Sequence, residues 1–89
     1  MTQHTKSASF VVGIDPEAAF SAFYEDGNGR LRFVFDVDKD PKKMRLDARP
    51  LQGGRLLDAA DDATKAWVNL ALDRVKAHFE GVGLAVEVD

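Results

Sequence analysis

The densest set of metal-type ligands in the chain is Asp36-Val37-Asp38-Lys39-Asp40, with Asp47 at the twelfth position counted from Asp36. Hard cations want several carboxylate oxygens close together, and this spacing superficially follows a calcium loop. The match fails where the loop is most demanding. Pro41 stands where the sharp turn needs glycine, Lys43 stands where an apolar residue belongs, and the run follows a strand pattern instead of a helix. Short acidic residues also suit turns, so the run reads as a hairpin loop and Asp26-Gly27-Asn28-Gly29 as a second turn. No metal site is expected.

Catalytic sets fail in the same way. His4 lies in a polar leader, and His78 falls near the end of a long helical pattern, where a cation favours the dipole. There is no cysteine, and Ser7, Ser9 and Ser21 have no histidine near them on the pattern, so an activated nucleophile is missing. Acid–base work needs two carboxylates in one pocket, one with a raised pKa. Every acidic residue that can be placed falls in a loop, on a helix polar face or opposite a basic partner. Gly53-Gly54 lacks the Lys-Ser/Thr ending of a phosphate loop. The chain is therefore expected to be no enzyme and to need no cofactor.

The elements that would position any site follow from periodicity. Ser9–Asp15, Arg30–Asp38 and Lys43–Arg49 alternate with the period of two of half-buried strands. Ala19–Glu25 is ambiguous, because Asp15-Pro16-Glu17 also resembles a helix start. Pairing favours a strand. A hairpin centred on Asn28-Gly29 sets Tyr24, Ala22 and Phe20 opposite Phe33, Phe35 and Val37, all on one face. A second hairpin, centred on Lys39-Asp40, sets Phe35, Phe33 and Leu31 opposite Met44, Leu46 and Ala48. With Asp15–Ala19 as the first loop, Ile14, Val12 and Phe10 face Phe20, Ala22 and Tyr24. A slip of one residue turns a strand inside out, so three agreeing registers reinforce each other.

Asp58 to Glu80 has helical periodicity, with Asp58 as N-cap, Asp61 in the first turn and Gly81 as the stop. At ~1.5 Å per residue it is roughly 33 Å long, enough to cross the sheet. Leu57, Ala60, Thr64, Trp67, Val68, Ala71, Leu72, Val75 and Phe79 form its sheet-facing side. Val82–Val88 alternates again as a fifth strand, whose partner is the first strand, the fourth by a crossover, or a second subunit. The fold class is thus α+β: a four-stranded antiparallel meander packed by one long C-terminal helix and followed by a short fifth strand. If Pro16–Tyr24 were helical, the order would become ferredoxin-like β-α-β-β-α-β.

Composition agrees. Eighty-nine residues support one core, so residues 1–89 read as a single domain with 1–7 as a flexible leader. Hydrophobic residues at 45% and charged residues at 30% are globular values that exclude a disordered chain. The polar start carries no signal-peptide pattern and no apolar run approaches the roughly 20 residues of a membrane span, so no membrane partner is expected and a cytoplasmic location is. Net charge is −3, unevenly spread: Arg30–Arg55 holds eight basic and four acidic residues, the remainder four basic and eleven acidic.

Two surfaces remain for function. On the outer sheet face the registers align Val11, Phe23 and Val34 in an apolar row, and the helix carries an alanine-rich flank of Ala59, Ala63, Ala66, Leu70 and Ala77. Surplus apolar surface points to association, so the leading expectation is a protein-interaction module, homodimeric, using one of these surfaces. The alternative is a single-stranded nucleic-acid binder, with Arg30, Arg32, Lys43, Arg45 and Arg49 on phosphates and Phe23 stacking on a base. A third reading is a small inhibitor or adaptor docking through Asp58, Asp62, Asp73 and Glu80.

Overall fold

The computed structural model describes residues 9–37 and 42–89. Along the chain come β1 (Phe10–Ile14), β2 (Ser21–Asp26), β3 (Gly29–Val37), β4 (Lys43–Leu46), β5 (Leu51–Gln52), β6 (Arg55–Leu56), helix α1 (Asp62–Gly81) and β7 (Ala85–Val88). The α+β class holds, and the sheet is mixed and seven-stranded among the described residues, not five-stranded. Its path runs β1-β2-β3-β4-β7, with β5 beside β3 and β6 beside β5. The expected leader, the Lys39-Asp40 turn, Asp38 and His4 lie outside the described residues.

Each hairpin register differs from the sequence reading by two residues, which leaves every side chain on the expected face and changes its neighbours. Tyr24 and Ala22 face Leu31 and Phe33, because the turn is Gly27-Asn28 and is closed by the pair Asp26 and Gly29. Asp26 fixes that position by accepting the Asn28 N–H at 2.7 Å. Gly29, at φ +141°, lies so close to Trp67 that a Cβ would meet the ring at 3.3 Å. At the first loop, Asp15 N–H donates to Ser21 O and Ile14 faces Ala22, leaving Phe20 outside the strand at φ 54°. Residues 16–20 form turns, too short for the helix of the ferredoxin-like alternative. Across the second hairpin Phe35 faces Leu46 and Val37 faces Met44.

The expected strand to Arg49 stops at Leu46. The Asp47 carboxylate accepts the Arg49 N–H at 2.9 Å, and buried Pro50 has no N–H to donate. Pairing with β3 resumes at Arg32 and Leu51, so the chain facing β3 carries two extra residues there. Leu51-Gln52 then pairs with Arg55-Leu56 around Gly53 (φ 62°) and Gly54 (φ 82°), whose positive φ values suit a two-residue hairpin turn.

Helix α1 starts three residues later than Asp58. Asp61 is the N-cap, accepting Thr64 N–H at 3.1 Å and Thr64 Oγ1–H at 2.6 Å. Gly83 (φ +97°), not Gly81, takes the left-handed conformation after the helix, and Leu84 N–H returns to Phe79 O. The crossover delivers β7 parallel to β4, with Met44 beside Val86, the second of the three partners open in the sequence. Ala22, Tyr24, Leu31, Phe33, Met44, Leu46 and Val86 from the sheet and Val68, Ala71, Val75 and Phe79 from α1 form one buried cluster. No helix among the described residues is long and apolar enough to cross a membrane.

Candidate interaction surface

Tyr24, on the inner face of β2, ties the helix to the first hairpin. Its hydroxyl donates to Asp26 Oδ2 at 2.5 Å and accepts from Arg74 Nη1 at 2.8 Å. Asp26 also takes the Trp67 indole N–H at 3.0 Å. The Arg74 guanidinium lies 4.3 Å over the Phe10 ring, which stacks on Tyr24. Burial and the bond to Asp26 raise the Tyr24 pKa, the wrong direction for a general base. Burial opposes ionisation of Asp26, yet donors from Tyr24, Asn28 and Trp67 leave its carboxyl below the ordinary range. Each group in this network is satisfied by another, and what it does is hold α1 in place.

The outer face is organised by Asp15, a carboxylate buried just beyond β1. It accepts Glu17 N–H at 2.9 Å and Arg32 Nε–H at 3.0 Å, with Arg30 Nη2 at 3.9 Å. The Glu17 N–H lowers its pKa, burial works against this, and Arg32 adds to the lowering. The sequence offered Asp15 only as a turn or helix-start residue. Its guanidinium partners lie on β3, and nothing local announces them.

The expected row of Val11, Phe23 and Val34 becomes a diagonal. Val11 faces Glu25, Phe23 lies between Gly13 and Arg32, and Val34 faces Ser21. The Phe23 ring covers Gly13, where a Cβ would stand 3.0 Å from the ring, and Arg30 lies 4.5 Å over its centroid. The five basic residues share this outer face or its margin, and several meet carboxylates. Arg30 pairs with Glu25 at 3.6 Å, Arg32 with Asp15, Arg49 with Asp47 at 3.4 Å, and Arg45 lies between Asp36 and Glu87 in register. Lys43 faces Ala85. An open groove of about 520 Å³ is lined by Arg45 and Arg49 but also by Asp36, Asp47 and Asp89. A second, of about 530 Å³, runs past Arg30 and Arg32 to Gly53 and Gly54.

Of the helix flank, Ala63, Ala66, Leu70 and Ala77 are exposed, while Ala59 is half-buried and precedes the helix. Asp62, Asp73 and Glu80 are exposed along α1, and Asp58 belongs to the segment before it. His78 sets its ring edge-on to Phe79 in the last turn. Among the described residues no three His, Cys, Asp or Glu side chains are grouped to hold a metal ion.

Three of the five residues of β1, Phe10, Val11 and Ile14, are large exposed apolar residues. Ile14 and Val11 are 52% and 57% exposed, and Phe20 is 62% exposed, its ring edge against Phe35 at 6.1 Å. Val37 is also exposed on the inner face. Phe20 is the one non-glycine residue with positive φ among those described. Among the described residues strand β1 has a single neighbouring strand, β2, and it contains no charged residue and no proline. No family model matches the chain, and no curated protein or solved structure is significantly similar to it.

Proposed function

We propose that the chain is a non-enzymatic protein-interaction module that acts as a homodimer. The observation that carries this reading is the concentration of exposed apolar side chains on an uncharged edge strand: Phe10, Val11 and Ile14 of β1 are all exposed, and the exposed Phe20 closes the loop that leads from β1 to β2. Edge strands of monomers are normally guarded by charges, prolines or bulges, and β1 has neither charge nor proline. The backbone at Phe20 also adopts a conformation that is costly for an L residue while its ring remains at the surface.

The single-stranded nucleic-acid reading ranks behind it. Arg30, Arg32 and Arg49 already face carboxylates, and Arg30 covers the Phe23 ring that a base would need. Sedimentation equilibrium from low to high micromolar concentration tests the order, with oligonucleotide anisotropy on the same sample. A mass of two chains without oligonucleotide binding supports the homodimer. A single-chain mass of 9.8 kDa throughout overturns it. Salt-sensitive oligonucleotide binding promotes the alternative.

A further inference from the structure

In an antiparallel ladder, residues alternate between pairs that exchange backbone hydrogen bonds and pairs that do not. Asp15 N–H donates to Ser21 O, so the bonded positions continue through Gly13 with Phe23 and Val11 with Glu25. The N–H and C=O groups of Phe10, Val12 and Ile14 therefore point away from β2, toward the side of β1 that has no neighbouring strand among the described residues. From this we infer that the dimer forms by antiparallel pairing of β1 with β1 of a second copy, centred on Val12. The inference rests on the homodimer reading and specifies its contact.

The register follows from self-complementarity. A two-fold axis at Val12 sets Val12 opposite its own copy and Phe10 opposite Ile14 of the second copy, an aromatic–β-branched pair on the inner face. Both are substantially exposed in the single chain, at 43% and 52%. On the outer face Val11 falls opposite Gly13 of the second copy, the residue whose missing side chain makes room for the Phe23 ring. The strand supplies about six backbone hydrogen bonds across the axis. Its lack of charge means that no like charges within β1 meet there. Centring on Val12 also keeps the inner faces of both sheets on the same side, so the two helices cover one continuous sheet surface.

Val12→Pro removes an outward N–H and no bond to β2, and proline is tolerated at such positions of edge strands. Val12→Ala trims the side chain and keeps the N–H. Sedimentation should give a Val12→Ala dimer close to wild type and a Val12→Pro dimer weakened by roughly tenfold or more, since each copy loses a hydrogen bond. With no cysteine elsewhere in the chain, Val12→Cys should cross-link to its own copy under mild oxidation. Val11→Cys should not, because it faces Gly13 and lies beyond the roughly 7 Å that a disulfide spans. Circular dichroism accompanies each variant, and if Val12→Pro loses its fold the cross-linking comparison decides. A dimer undiminished in folded Val12→Pro, or a dimeric Val12→Cys that does not cross-link, overturns the edge pairing and leaves the homodimer standing. A wild-type monomer overturns both.

Discussion

Phe20 is where backbone and side chain are most at odds, and replacing it separates the two contributions. Both Phe20→Ala and Phe20→Gly remove the edge contact with Phe35 and the part of the ring that is covered, since 62% of the residue is exposed. For a ring of ~200 Å², the covered part is ~75 Å², so the shared loss is at most about 2 kcal/mol. The variants differ in the backbone. At φ 54° an L residue carries a penalty of roughly 1–2 kcal/mol that glycine escapes. Glycine gives back roughly 0.5–1 kcal/mol through the freedom of its unfolded chain. Phe20→Gly should therefore be more stable than Phe20→Ala by about 0.5–1 kcal/mol, the reverse of the ordinary order. The assay is equilibrium unfolding in urea at a protein concentration low enough to keep every variant monomeric, because association would add to apparent stability. An alanine variant as stable as the glycine variant, with equal m-values, refutes the left-handed backbone at this position.

Gly29→Ala should cost about 1–3 kcal/mol, because it combines positive φ with a Cβ pressed on Trp67, whereas Gly27→Ala meets open space and should be nearly neutral; urea midpoints separate them. Asp61→Ala should lower the thermal midpoint and Asp58→Ala should leave it in place, since only Asp61 caps α1; equal effects would move the helix start back to Asp58. The carboxyls of Asp15, Asp26, Asp47 and Asp61 all titrate below their ordinary 3.8 when folded. Their contribution to stability is thus fully present above that pH and is lost as the pH falls through the folded values. Asp15→Asn should flatten this acid-side decline in a series of urea midpoints, and an unchanged slope would mean that Asp15 is not held as the structure has it.

The strands were legible because alternation depends on which face is buried, and burial is set by the chain's own pattern. Tyr24, Phe33, Leu31 and Leu46 are all fully buried on the face that alternation assigned them. Turn positions were less legible because they are decided by contacts from elsewhere. Asn28-Gly29 is the stronger local signal, yet the turn moves one residue back: Asp26 is held by Asn28 and Trp67, and Gly29 is needed where the Trp67 ring arrives. The β5–β6 hairpin has only two residues per strand, too few for periodicity to register, although Gly53-Gly54 was a usable turn signal. The cap at Asp61 was readable as well, because Thr64 stands three residues on and returns its hydroxyl, whereas Asp58 has no such partner in sequence.

A register error of two residues is harmless to the core and decisive for the outer face. In the expected alignment Val11, Phe23 and Val34 stood in one row, an apolar stripe suited to a partner lying flat on the sheet. Moving each strand by two residues sets Glu25 beside Val11 and Arg30, frees Arg32 to reach Asp15, and sets Asp36 beside Arg45. The opposite charges of this face change partners, from Glu25 with Arg32 and Asp36 with Lys43 to Glu25 with Arg30 and Asp36 with Arg45, and its aromatic, Phe23, is folded down over Gly13 beneath Arg30. The same shift starts β2 at Ser21 and leaves Phe20 in the loop before it, its carbonyl accepting the Phe35 N–H at 2.9 Å and its exposed ring against Phe35 of β3. Val34 stays partly exposed on β3, while the more exposed Val11 and Ile14 lie on β1, whose outward backbone donors and acceptors meet no strand among the described residues. On the homodimer reading proposed above, a second copy that buries both comes in beside the sheet and continues it, and does not lie across it.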